Sequence, residues 1–278
     1  MKRRKKSKRV RNILLAVGGV FTLLLAISVG MLMGELRAYR QGVQTYEALA
    51  QHVVFPPAAP PPVGEVPQPN LPTLPGGEID PEPEETGPRV NFPVVDFAAL
   101  AEINPNIVGW LVLEGTPINY PVVHWSDNDR YLHHLFDGTR NAAGTLFVDH
   151  RNARRFMDSH TIIHGHNMRD GSMFAILESY RSQAFFDAHP ELLLVTPEQN
   201  FIIQLFAGYM AHETAGNWQI DFPSFSDFDE WVRGQRALSD FTSDVEASGL
   251  DRIITLSTCS TSNRSARYVV IGKLVPVE

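Results

Sequence analysis

Cys259 is the single cysteine of the chain, and Arg267 follows it eight residues on. A lone thiol cannot close an internal disulfide and supplies at most one ligand to a metal, so the special chemistry open to it is nucleophilic. The ordinary alternative is a small apolar core residue, which is how most free cysteines are used. A thiol with a pKa of about 8.5 is only slightly ionised at neutral pH, so a nucleophile needs a base and a cation beside it.

Candidate bases are numerous. The ten histidines include His133, His134, His150, His160 and the run His164-Gly165-His166-Asn167-Met168. That run follows Ile162-Ile163 and precedes a helix-like stretch, which places it at the end of a strand, where reactive groups are often displayed. Gly165 permits a tight turn that breaks the alternation, so spacing alone does not choose between His164 and His166. A zinc site built from His164, His166 and a third histidine competes with the base reading. The HExxH and paired-cysteine spacings that mark such sites are absent.

The elements that must position these residues are short strands with a few helices. Asp96 is a candidate N-cap for a helix over 97–103, stopped by Asn104-Pro105. Strands are expected at 107–113, 118–123, 144–148, 161–164, 191–196, 201–211, 252–258 and 267–275, and helices at 171–180 and 225–239. Many short strands with inserted helices point to a mainly β architecture of the α+β kind, a barrel or sandwich elaborated by helices. Along the last two strands the period of two puts Ile253, Thr255, Ser257 and Cys259 on one face, and Arg267, Val269, Ile271 and Lys273 on one face of the next. A hairpin between them brings Cys259 and Arg267 together. Its connection, 260–266, is polar and carries Arg264.

The N-terminal part sets where this chemistry takes place. Lys2, Arg3, Arg4, Lys5, Lys6, Lys8, Arg9 and Arg11 form a basic tail over 1–12, and residues 13–33 carry no charge. Such a stretch, at about 1.5 Å per residue, crosses a ~30 Å hydrocarbon core. The positive-inside rule keeps the N-terminus in the cytoplasm and places the rest outside, as a single-pass protein of the cell membrane. A cleaved signal peptide is the rival reading, but its apolar run is shorter and ends in a small-residue cleavage site that Met31-Leu32-Met33-Gly34-Glu35 lacks. Residues 34–90 are expected to form a helical stalk and then a spacer, because 55–88 holds twelve prolines. Proline favours extended polyproline II, so this segment should hold the domain away from the bilayer.

Residues 91–278 have the composition of a folded domain large enough to bury a core. The formal net charge of −7 understates its acidity: from residue 41 onward there are 14 Lys plus Arg against 30 Asp plus Glu. Nucleic acid is therefore excluded as a partner, and no glycine-rich phosphate loop follows a strand.

From residue 104 to the C-terminus the chain resembles a class B sortase, one of the membrane-anchored cysteine transpeptidases of Gram-positive bacteria. The resemblance runs through Asn104-Pro105-Asn106-Ile107-Val108-Gly109-Trp110, Ile118-Asn119-Tyr120-Pro121, Asp127-Asn128 with Tyr131-Leu132, and Gly144-Thr145-Leu146-Phe147-Val148-Asp149. It continues in Gly165-His166-Asn167-Met168 with Ser172-Met173-Phe174 and closes with Thr255-Leu256-Ser257-Thr258-Cys259 and Arg267-Tyr268. The stretch 225–239 resembles the helical insertion that class B members carry. His164 is a departure, since relatives often have an aromatic residue there.

The resemblance implies a sortase β-barrel of about eight strands, preceded by one transmembrane helix. It implies Cys259 as the acylated nucleophile, His166 as general acid/base and Arg267 as the cation for the oxyanion or substrate, supported by Thr258, Ser257 and Asn167. It implies no metal or organic cofactor. The implied partners are the sorting-signal peptide of a secreted surface protein and an amine of a cell-wall precursor or pilin. A thiol hydrolase and a non-catalytic surface scaffold are the alternatives.

Overall fold

Each apolar run in the domain becomes a strand, and the strands close on themselves. In the computed structural model, residues 2–56, 91–212, 216–259 and 266–277 are described, with 2–11 and Cys259 by backbone alone. The N-terminal helix α1 (Lys2–Ala50) is followed by a two-residue pair, β1 (Val53–Val54) and β2 (Val94–Val95), and by α2 (Phe97–Ile103). Strands β3 (Ile107–Val112), β4 (Asn119–His124), β5 (Leu146–Val148) and β6 (His160–Gly165) come next, then α3 (Gln183–Ala188). The chain continues with β7 (Glu191–Val195), β8 (Asn200–His212), α4 (Phe225–Ala237), β9 (Ile253–Cys259) and β10 (Ala266–Val277).

Strands β3 to β10 form a closed barrel in the order β10-β8-β7-β3-β4-β5-β6-β9. Closure leaves no strand edge unpaired, which is how a small all-β core avoids exposing backbone donors. Two pairs, β4 with β5 and β6 with β9, are parallel; the others are antiparallel. The parallel pairing of β6 with β9 requires a long crossover, and residues 166–252 supply it with α3, β7, β8 and α4. All eight strands expected from the sequence are present to within two residues at their ends, and α2 matches, its N-cap Asp96 accepting a hydrogen bond from Ala99 N. The stretch read as a helix over 171–180 is a 3-10 helix over Ala175–Arg181 instead, preceded by turns in which Met173 takes a positive φ of 56°. The short α3 was not foreseen.

The core has two layers. The barrel interior holds Leu111, Val122, Leu146, Ile163, Leu256, Tyr268 and Val270, all essentially without solvent contact. A second cluster lies under α4, whose Phe228 and Val232 pack with Tyr209, Ala211, Ile253, Val269 and Ile271. Ser224 caps α4 by accepting from Asp227 N. The inserted helix thus covers part of the outside of the β8–β10–β9 wall.

Helix α1 carries an apolar stretch long enough to cross a membrane, fully exposed in this fold. Beyond it the helix does not stand free. Gly42, Tyr46 and Leu49 are buried, at the spacing of one helical face, and so is Val53 of β1. Asn141 donates to the Ala38 carbonyl at 2.8 Å, and the Tyr46 and Tyr120 rings meet edge to face at 5.1 Å. The proline-rich spacer expected over 55–88 falls almost wholly in 57–90, outside the described residues. Its flanks, however, are neighbours: Val53 pairs with Val95 and Val54 with Val94. Paired strands lie about 4.8 Å apart, so residues 53–54 and 94–95 are neighbours. Between the apolar stretch and β1 run residues 34–50 of α1, about 25 Å of helix.

Candidate active site

Three neighbouring strands bring the sequence candidates together. In the antiparallel β9–β10 ladder Cys259 is the register partner of Arg267, the pairing expected from the hairpin. In the parallel β6–β9 ladder His164 pairs with Ser257 and Gly165 with Thr258, so the next residue, His166, arrives at the level of Cys259. Cys259 on β9 and Arg267 on β10 are thus partners, and His166 follows directly on the end of β6 beside them. The connection 260–265, with Arg264, lies outside the described residues.

His166 is held in a defined tautomer. Its Nε2–H donates to the carbonyl of Leu132 at 2.7 Å, a group that can only accept, which leaves Nδ1 with the lone pair in the neutral ring. Burial lowers its pKa below the ordinary histidine value; the Leu132 carbonyl works against this, and the charges of His133 and Arg267 add to the lowering. Arg267 itself is half-buried and donates to the Ala266 carbonyl at a long 3.5 Å.

Glycine makes the room that this arrangement needs. Gly144 has φ +60°, and a Cβ there would lie 2.4 Å from the Tyr131 carbonyl oxygen and 3.1 Å from Cδ2 of His166. A Cβ on Gly165 would meet Leu146 and Phe174 at 2.5 and 2.6 Å. Gly165 is thus demanded by close packing within β6 and not by the tight turn its sequence position suggested.

His164, two residues before His166, has a different partner. Its Nε2 lies 3.1 Å from Oδ2 of Asp149, a carboxylate with 2% exposure that also takes the Arg151 fork at 2.8 and 3.0 Å and Asn128 Nδ2 at 3.0 Å. Burial alone would raise the Asp149 pKa, but the hydrogen bonds from His164 and Arg151 outweigh it and hold the carboxyl well below the usual range. Of the other candidate histidines, His150 Nδ1 lies 3.6 Å from Asp149 Oδ1, and three more have partners away from the site. His160 is fully buried, donating from Nδ1 to the Gln219 carbonyl at 2.7 Å and accepting at Nε2 from Thr255 at 2.8 Å. His134 Nδ1 meets the Arg130 carbonyl at 2.7 Å, and His133 is exposed beside Asp129. Among the described residues no cluster of three or more His, Cys, Asp or Glu converges as a metal site.

The supporting residues have distinct places. Ser257 is buried and accepts from Trp218 Nε1 at 3.4 Å, so it anchors the insertion to the strand below Cys259. Thr258 is buried with no partner for its hydroxyl among the described residues, the setting of a β-branched filler inside the barrel. Asn167 donates to Glu178 at 3.0 Å and bridges to Met173, which pins the loop after His166. Sequence reasoning assigned no role to Asp149, Gly144 or Tyr46. The 42, 46, 49 spacing, one face of a helix, was the available signal for Tyr46.

A paired cysteine and arginine with a neutral, oriented imidazole at the same level can ionise a thiol, stabilise an oxyanion and move a proton. No family model matches the chain. The chain is similar to sortase B of Listeria monocytogenes, 42% identical over 178 residues that cover 63% of this chain and 72% of the relative. It is also similar to the crystal structure of a Staphylococcus aureus sortase B–substrate complex, with a TM-score of 0.63 and 33% identity, covering 66% of this chain and 85% of the other. A sortase B crystal structure complexed with triglycine superposes with a TM-score of 0.62 at 34% identity, covering 66% and 86%.

Proposed function

The chain belongs to the sortase B family of cysteine transpeptidases, and from that premise we propose that Cys259, His166 and Arg267 carry out the transfer. The Cys259 thiolate attacks the scissile carbonyl of a sorting motif near the C-terminus of a secreted protein. A tetrahedral oxyanion forms, and Arg267, beside Cys259 in the ladder, stabilises it where the charge develops. Protonated His166 gives its proton to the departing amine as the C–N bond breaks, leaving an acyl thioester on Cys259. An incoming amine then attacks the thioester and loses its proton to His166, the C–S bond breaks, and the product is a new amide with the thiolate restored.

The register of Cys259 with Arg267, with His166 one step beyond the Gly165–Thr258 pair, is the observation that carries this reading. The relatives described with a substrate and with triglycine support a peptide donor and an amine acceptor of the glycine type, such as the amine of a cell-wall precursor or pilin. The long apolar helix and its basic N-terminal flank support a single-pass anchor with the N-terminus in the cytoplasm, residues 13–33 in the bilayer and the barrel outside.

The test is product analysis. Full-length protein in detergent is incubated with a sorting-motif peptide library, with and without triglycine. The expected result is a thioester adduct on Cys259 and, with triglycine, a ligated peptide; Cys259→Ala gives neither. Cleavage that triglycine leaves unchanged in product would make the enzyme a thiol hydrolase, and activity retained by Cys259→Ala would end the proposal.

A further inference from the structure

The buried stripe of α1 meets the loops that hold His166. The Tyr46 hydroxyl donates to the Gly144 carbonyl and lies 3.2 Å from Thr145 Oγ1. Gly144 is the residue whose Cα faces the imidazole, as its 3.1 Å approach from a built Cβ to Cδ2 of His166 records. The next residue, Thr145, donates its hydroxyl to the His134 carbonyl at 2.9 Å and its backbone N–H to the Tyr131 carbonyl at 2.9 Å. Those bonds bind the Gly144 turn to the segment that presents the Leu132 carbonyl to His166 Nε2.

A second route starts from the same side chain. The Tyr46 ring stands edge-on to Tyr120 at 5.1 Å and 80°. The Tyr120 hydroxyl accepts from Met173 N at 3.2 Å, and Met173 is buried with a positive φ of 56°, a conformation that costs energy in a residue with a side chain and persists only where surroundings enforce it. Its neighbour Phe174 donates its N–H to the His166 carbonyl at 2.9 Å. Ring and backbone of His166 are thus both held by groups that rest on Tyr46.

We propose that Tyr46, on the part of α1 between the apolar span and the barrel, is a positioning residue for His166, so that the end of the anchor helix is part of the catalytic apparatus. This rests on the reading of His166 as the general acid/base. General acid–base transfer depends on sub-ångström placement of the proton-carrying nitrogen, so loosening this support lowers turnover without touching substrate. It also admits water around the imidazole. Burial is what chiefly lowers the His166 pKa, with His133 and the Arg267 guanidinium as the charged groups facing it, so greater exposure moves that pKa up toward the ordinary value.

The experiment compares full-length protein with Tyr46→Phe, which keeps the ring against Tyr120 and removes only the hydroxyl, in a detergent-solubilised transpeptidation assay. Expected are a kcat about five- to tenfold lower per folded molecule, a KM for the donor peptide within about twofold, an acid limb of the kcat/KM profile at higher pH, and a melting temperature lower by a few degrees but well above the assay temperature. Val43→Ala, which lines the cleft between α1 and the barrel without touching Gly144, should leave kcat and profile alone. Wild-type kcat and pH profile in Tyr46→Phe overturn the proposal, as does a loss of kcat that only tracks lost folded protein. His166→Ala separates the two levels: if it keeps wild-type turnover, the assignment of His166 fails and the proposal with it, whereas an inactive His166→Ala beside a wild-type Tyr46→Phe sinks the proposal alone.

Discussion

Arg267 on β10 is the cross-strand partner of Cys259 on β9, and its charge disfavours the protonated form of His166 on the far side of that cysteine. On the proposed mechanism one cation would serve two functions, as an electrostatic partner for charge developing at the cysteine and as a restraint on the imidazole. Arg267→Gln should lower kcat/KM by about 100- to 1000-fold, the usual cost of losing an oxyanion donor. Removing the positive charge also lets His166 hold a proton to higher pH, so the acid limb of the pH–rate profile moves up. Arg267→Lys keeps the charge and loses the planar fork, so its limb should stay near the wild-type position while the rate still falls. Identical pH profiles for the Gln and Lys variants would remove the electrostatic half of this account.

Gly144→Ala addresses the cradle directly. The added methyl meets the Tyr131 carbonyl oxygen at 2.4 Å, in a backbone conformation with φ +60°. The left-handed conformation alone costs roughly 1 kcal/mol for a residue with a Cβ, and the clash with backbone adds to it. The variant should lose about 2 kcal/mol or more of stability and should lose turnover beyond what its folded fraction explains, because the displaced group is the one against His166. Urea midpoints set beside single-turnover rates separate the two effects; wild-type turnover per folded molecule would show that the close approach to His166 is incidental.

The strands and the pairing of Cys259 with Arg267 were legible because both follow from local rules. Alternation in 253–259 and 267–273 fixed the faces, and a short polar connection fixed the hairpin. The parallel placement of β6 beside β9 was not legible from residues alone, since a crossover of more than eighty residues leaves no periodic signature. The choice of His166 over His164 rested on the resemblance; in the structure His164 is held by Asp149 at 3.1 Å, and His166 by the Leu132 carbonyl at 2.7 Å. The role of 34–56 was hidden because its proline-rich neighbour reads as a spacer, whereas the stripe Gly42, Tyr46, Leu49 answers to a surface formed by residues about a hundred positions away. The resemblance covered residues 104 onward and said nothing of that contact.

Asp149→Asn tests the pairing beside the site. The carboxylate is buried with His164 and Arg151 as donors, and removing one member of such a set leaves the others without their counter-charge. Arg151 is about half exposed, so solvent softens the loss, and about 2–3 kcal/mol of destabilisation is expected. Because Asp149 partners His164 and not His166, the pH–rate profile of the folded variant should keep its acid limb. A shift of that limb comparable to the one in Arg267→Gln would place Asp149 in the proton-transfer machinery instead.

His160 gives the fold a pH limit of its own. Burial lowers its pKa to about 4, against the Gln219 carbonyl that favours the proton, and the neutral ring is wedged between Thr255 and the Trp231 indole at 4.5 Å. A histidine whose folded pKa lies below its unfolded value binds fewer protons folded than unfolded between the two, so stability rises with pH in that window. The contribution is fully present above pH 6.5 or so and is lost as the pH falls toward about 4, for a total of about 3 kcal/mol. His166 and His124, lowered in the same direction, steepen the wild-type curve, so the difference between variants is what counts. His160→Asn should be less stable than wild type at pH 7, having lost the ring against Trp231, yet its urea midpoint should fall less steeply between pH 6.5 and 4. Parallel curves for the two proteins would mean that His160 enters the folded state already protonated, in conflict with a buried ring whose Nε2 accepts from Thr255.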